Sequence, residues 1–196
     1  MKRFVSYKDL GEEERLLWEA FARGEREAFG DVYTRYADAL LSYGTGLGFD
    51  RETLKDAIHD TFYKLYADPA LLRGVREAKS YLFRALRNRL VNSRKSGARE
   101  VELDPRGQEF SIEVSVVDEL IEEEERARVA REIERYLGEL TARQREAIYL
   151  RFIHEFEYDE IAALLNLSPH GARKLVSRAI ITIRERYPLL VLFFGL

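Results

Sequence analysis

The chain has 196 residues, 46% hydrophobic and 12% aromatic, with a formal net charge of −3, a composition that argues for folded material and against disorder. It has no cysteine, which excludes disulfides and thiolate metal sites and fits a reducing compartment. The opening MKRFVSYKDLGEEERLL lacks a signal-peptide core, and no stretch reaches the roughly 20 apolar residues of a membrane span, so a cytoplasmic protein without membrane insertion is expected.

Glycine and proline are sparse, 12 and 4, and apolar residues recur at helical spacing almost throughout, which predicts an all-α fold. The first two helices are expected over Glu12–Arg23 and Arg26 to about Ser42. In the second, Phe29, Val32, Tyr33, Tyr36 and Leu40 form an apolar stripe, and the turn Gly44-Thr-Gly-Leu-Gly48 ends it. A third helix spans Glu52–Tyr66, with Leu54, Ile58, Phe62 and Leu65 inward and Asp56, Asp60 and Lys64 outward. Asp68-Pro69 breaks it, a loop covers Ala70–Arg76, and a fourth helix runs from about Glu77 to Lys95. On that helix Tyr81, Leu82, Ala85, Leu86 and Leu90 face inward, while Arg84, Arg87, Asn88 and Lys95 share the opposite side.

Residues Ser96 to Val117 carry Gly97, Pro105 and Gly107 without helical periodicity and read as a linker. A short β-like alternation runs around Phe110 to Val116, but no strand is expected there. A Glu- and Arg-rich helix is expected from about Asp118 to Leu137. Thr141-Ala-Arg-Gln144 matches a capping box for a helix to about Phe152, and Tyr158–Leu165 forms a short one. Asn166 sits in the following turn, where a residue tolerant of left-handed backbone is wanted. Ser168-Pro169 then starts the last helix as N-cap and first-turn proline. Two helical domains are therefore expected, residues 1–96 and 118–187, joined by a linker over 97–117 and followed by an apolar tail over 188–196.

On the last helix His170, Arg173, Lys174, Ser177 and Arg178 follow the spacing of one face. Ala172, Leu175, Val176, Ala179 and Ile183 fall on the other. Such a helix can pack on its own domain while lying in the major groove of DNA. The negative net charge does not oppose this, because the charge is unevenly distributed. Arg84, Arg87, Arg89, Arg94, Lys95 and Arg99 crowd one segment, and Arg173, Lys174, Arg178, Arg184 and Arg186 another. An acidic stretch, Asp118-Glu119 and Glu122 to Glu125, lies between them. The three histidines, His59, His154 and His170, lack metal-ligand spacing, and no phosphate loop or nucleophile motif is present, so neither an enzyme nor a cofactor is expected.

Two stretches carry a family resemblance. Asp56-Ala-Ile-His-Asp-Thr-Phe62 is similar to the Asp-Leu-Val-Gln-Glu-Thr-Phe run in the second region of bacterial sigma-70 family factors. Ser80-Tyr-Leu-Phe-Arg-Ala-Leu-Arg-Asn88 resembles that region's Trp-Leu-(Tyr/Phe)-Arg-Ile-Ala-Arg-Asn run. Leu140 to Arg184, with its Arg143-Gln-Arg-Glu146, resembles the fourth region. The order and short linker are similar to the extracytoplasmic-function (ECF) group, which lacks a third domain. Departures include His59 for a usual glutamine, Tyr66 and Tyr81 for frequent tryptophans, Ala142 for a proline, Glu157 for a capping serine, and His170-Gly171-Ala172 for a small residue, Thr, Val run.

The resemblance implies a sigma factor that binds core RNA polymerase, recognises promoter DNA and opens it, with an anti-sigma factor as a further partner. It implies polymerase contact through Asp56, Asp60, Phe62 and Leu65. The minus-ten element would be held by Arg73, Arg84, Arg87, Asn88, Asn92 and Lys95. His170, Arg173, Lys174, Ser177 and Arg178 would read the minus-thirty-five element. The alternative is a stand-alone helix-turn-helix regulator, which accounts for the C-terminal pattern but leaves the one between Asp56 and Asn92 without a purpose.

Overall fold

The computed structural model describes residues 7–75, 77–97, 110–112 and 123–186. Among these every regular element is helical. The chain divides into two compact units, Met1–Thr45 with Phe49–Val101, and Gly46–Gly48 with Glu102–Leu196.

The first unit contains α1 (Tyr7–Ala22), α2 (Arg26–Gly46), α3 (Arg51–Ala67), a 3-10 turn (Pro69–Leu72) and α4 (Ala78–Gly97). Its core is the predicted apolar face of each helix: Val32 and Leu40 from α2, Leu54, Ile58 and Phe62 from α3, and Leu82, Leu86 and Leu90 from α4 are all at most 3% exposed. Aromatic rings fill one end of it. Phe62 lies 4.9 Å from Tyr33 and meets Phe29 edge-on at 6.2 Å, while Trp18 meets Phe21 edge-on at 5.6 Å. Tyr36 donates to Glu14 across α1 and α2, and burial followed by this acidic partner pushes its hydroxyl far above the usual tyrosine range.

The end of α2 differs from expectation. The helix runs through Gly44 and stops at Gly46, and the left-handed turn falls at Gly48 with φ 77. Gly44 is needed for close approach rather than for turning, since a Cβ there would stand 2.2 Å from Leu54 Cδ2. Leu54 is 0% exposed, so its side chain would have to shift within the core to admit a methyl group. Gly44→Ala is therefore expected to lower stability: overpacking costs about 1–3 kcal/mol, more than the gain of about 1 kcal/mol in helix propensity. Urea unfolding of the two proteins checks this. The segment after Asp68 is likewise ordered beyond a simple loop, because the Asp68 carboxylate accepts from Ala70 N–H at 3.2 Å and starts the 3-10 turn.

The second unit contains α5 (Glu123–Gly138), α6 (Ala142–Ile148), a π-turn (Tyr149–Ile153), α7 (Tyr158–Leu165) and α8 (Pro169–Arg186). The helix expected to reach Phe152 as one piece widens at Tyr149. His154 N–H reaches back to the Tyr149 carbonyl at 3.3 Å, and the chain reverses through Glu155 at φ 58. This keeps Tyr149 and Leu150 buried and turns Phe152 and Ile153 outward, 41% and 62% exposed.

Phe110, read as part of a tether, is instead 1% exposed. Its ring lies 5.3 Å from that of Tyr149, and its carbonyl accepts from Arg145 Nε at 2.6 Å. Phe110 to Ile112 form no regular structure, and the rest of the predicted alternation, Glu113 to Val116, lies outside the described residues. So do the expected first turn of α5, residues 118–122, and the apolar tail, residues 188–196.

Candidate nucleic-acid interface

The turn between α7 and α8 sets the direction of α8. Asn166 adopts the left-handed conformation, φ 53 and ψ 53, at the end of α7. Ser168 Oγ then accepts from Gly171 N–H at 3.0 Å, and Pro169 opens α8, where its missing N–H costs nothing. Ala172, Val176 and Ala179 are 0% exposed, on a helix that packs against α6 and α7. The opposite face presents His170, Arg173, Lys174, Ser177 and Arg178, all exposed. The structure thus brings these five side chains together as one cationic, hydrogen-bonding surface.

The segment Arg143 to Glu146 supports this surface from beneath. Arg143 Nη2 donates to the Leu165 carbonyl at 2.8 Å, closing the end of α7. Gln144 completes the predicted capping box: its Oε1 accepts from Thr141 N–H at 2.9 Å while its own N–H reaches Thr141 Oγ1 at 3.3 Å. Arg145 donates to the carbonyls of Phe110, Leu137 and Leu140, and Glu146 is 3% exposed. These hydrogen bonds tie α6 to the segments around it and build the scaffold on which α8 packs. Glu157 takes the N-cap position of α7 without a serine, because Glu160 reaches back to accept its N–H at 2.7 Å.

In the first unit α4 carries the second set of cations. Arg84, Asn88 and Asn92 are exposed and Arg87 is half-buried; Lys95 lies in the same helix, its side chain outside the described residues. Arg84 Cζ lies over the Tyr81 ring, 5.8 Å from its centroid, and Tyr81 is half-buried beside Trp18 at 6.2 Å. Arg73 stands exposed on a different element, at the end of the 3-10 turn. Arg89, one residue beyond Asn88, is committed to an ion pair with Asp60 that ties α4 to α3.

The outer face of α3 requires a correction. Asp56 and Asp60 are exposed, but Phe62 and Leu65 are 0% and 3% exposed and form part of the core. Their spacing from Leu54 and Ile58 puts them on the inward stripe, so neither is available to a partner protein. Tyr63 is the aromatic side chain on the acidic face, 64% exposed, with Tyr66 at 40%. Tyr63 follows Asp56 by seven residues and Asp60 by three, so helical spacing alone was sufficient to find it.

Asp50 caps this helix, its Oδ1 accepting from the N–H groups of Glu52 and Thr53 at 3.0 Å and its Oδ2 from Thr53 Oγ1 at 2.6 Å. The Thr53 hydroxyl first, and then the backbone N–H groups, hold its carboxyl below the usual value. A lowered folded-state value means that the cap stabilises above the unfolded-state pKa and is lost as pH falls through the folded one. The difference in thermal midpoint between the parent and Asp50→Ala is therefore expected to be full near neutrality and to shrink as pH is lowered below about 4.

Among the described residues no helix is long and apolar enough to cross a membrane, and no group of three His, Cys, Asp or Glu side chains is placed to hold a metal. Residues 130–183 match the family model for sigma-70, region 4. No curated protein sequence matches the chain. Among the solved structures similar in fold are the following two. CnrH in complex with the cytosolic domain of CnrY has a TM-score of 0.57 and 23% identity, covering 87% of this chain and 94% of its own. The sigma factor RpoE in complex with the anti-sigma factor NepR, from Bartonella quintana, also has a TM-score of 0.57 and 23% identity, covering 82% of this chain and 97% of its own. Residues 130–183 of the C-terminal unit are thus similar to sigma-70 region 4, and the chain has the helical fold of these solved structures.

Proposed function

We propose that this chain, with its sigma-70 region 4 domain and the fold of the ECF group, is a sigma factor that binds core RNA polymerase and directs promoter recognition, opening and initiation. The observation that carries this reading is the exposed row on α8, from His170 to Arg178, on the domain that matches region 4. Residues 1–96 then act as the region 2-like domain, 97–117 as the linker and 118–187 as the region 4-like domain. Arg73, Arg84, Arg87, Asn88, Asn92 and Lys95 serve the minus-ten element. Arginines there grip phosphates, and the asparagines bond base edges as the strands part. Asp56 and Asp60, with Tyr63 in place of Phe62 and Leu65, form the face for polymerase. The function requires no catalytic residue or cofactor and is performed in the cytoplasm. Both similar structures hold a bound protein, CnrY or the anti-sigma factor NepR, which supports an anti-sigma partner here as well.

Gel-shift titration on promoter fragments tests the reading against a stand-alone regulator. A sigma factor spreads its DNA contacts over two units that polymerase must hold at the spacing of the two elements. Sequence-specific shifts are therefore expected with core polymerase and the chain together. Tight specific binding by the chain alone, unchanged by polymerase, overturns the proposal in favour of the regulator.

A further inference from the structure

Tyr158, the first residue of α7, is half-buried and carries two guanidinium groups over its ring. Arg151 Cζ lies 5.0 Å from the ring centroid and Arg173 Cζ 5.1 Å, both within the range of a cation–π contact. Arg151 is anchored: its Nη1 donates to the Phe156 carbonyl at 2.8 Å and pairs with Glu157 at 3.2 Å. Glu157, the residue that replaces a commonly found serine, thus supplies the carboxylate that offsets the Arg151 charge beside the ring. Arg173 has no such anchor among the described residues. It is exposed on the face of α8 proposed to enter the major groove, and Tyr158 is its ring contact.

An arginine that reads guanine must present the edge of its planar guanidinium to two acceptors at once. A free, exposed arginine is spread over many rotamers, and each contact it forms bears the cost of ordering them. Stacking over a ring occupies the flat face of the guanidinium and leaves its N–H edges open. We propose that Tyr158 is a positioning residue: it holds the Arg173 guanidinium in advance for base readout, backed by the Arg151–Glu157 pair. This rests on the DNA-reading role assigned above to α8. The Tyr158 hydroxyl has no part in it, so phenylalanine should substitute fully.

The test uses polymerase reconstituted with the full chain and a promoter library in which every base pair of the upstream element is varied. The parent and Arg173→Ala first locate the base pair that Arg173 reads. Tyr158→Leu is expected to lose about three-fold in discrimination at that same base pair, the scale of an exposed cation–π contact, with other positions unchanged. Tyr158→Phe should behave as the parent, and Tyr158→Leu combined with Arg173→Ala should lose no more than Arg173→Ala alone. Pentafluorophenylalanine at position 158 keeps the ring's shape but reverses its charge distribution. It should therefore reproduce the leucine result even if leucine disturbs folding. Equal loss at every position, which marks a plain backbone contact, overturns the proposal, as does no loss with the fluorinated ring. A parent that reads no upstream element sinks the DNA-reading role itself, which is a separate and visible failure.

Discussion

Replacing Arg173 by alanine is expected to reduce promoter-dependent transcription by about 5- to 150-fold, the range spanned by one bidentate arginine–guanine contact of roughly 1–3 kcal/mol. Retention of the chain by core polymerase in a pull-down should not change. The two readouts separate because Arg173 is exposed on α8, while the face assigned to polymerase is on α3. Arg173→Lys should recover only part of the loss, since an ammonium group keeps the charge but not the two parallel donors. Equal loss of transcription and of polymerase retention on Arg173→Ala removes this residue from base readout.

Phe62→Ala is expected to cost about 3–5 kcal/mol of stability, enough to unfold much of the first unit, as measured by chemical denaturation. Phe62 is 0% exposed and its ring packs on Tyr33 and Phe29, so truncation leaves a cavity that rigid neighbours cannot fill. The adjacent Tyr63→Ala should change stability by no more than about 0.5 kcal/mol, because Tyr63 is 64% exposed. It should instead weaken retention by core polymerase. If Tyr63→Ala leaves retention intact while Asp56→Ala and Asp60→Ala lower it, the polymerase face is acidic without an aromatic component. If all three leave it intact, α3 does not form that face.

The neighbouring pair of residues also marks where sequence reading reaches its limit. The all-α class, the inward stripes of α2 to α4, the Thr141–Gln144 capping box and the Ser168-Pro169 start of α8 are local patterns, and each is written within a few residues. Asn166 in left-handed backbone belongs with them. Phe62 and Leu65 belong to the core by their own periodicity, and a family motif, which carries no information about which side of the helix each residue occupies, points to them as partner contacts all the same. Gly44 is ambiguous in the sequence for a different reason. A glycine signals either a turn or a close approach, and only the tertiary position of Leu54 shows which. Phe110 and the Tyr149–Ile153 turn were illegible on similar grounds. Burial of a lone aromatic in a glycine- and proline-containing stretch depends on Arg145, 35 residues away. The contact of Arg173 with the Tyr158 ring joins two helices across the α7–α8 turn, and no single-helix pattern contains it.

The most direct measurement is run-off transcription on genomic DNA fragments by purified core RNA polymerase, with and without the chain, followed by sequencing of transcript 5′ ends. The account predicts defined starts that depend on the chain and share two upstream elements, one near minus ten and one near minus thirty-five. Unchanged starts in the presence of a chain free of any co-purified inhibitor, and with its direct DNA binding intact, contradict it.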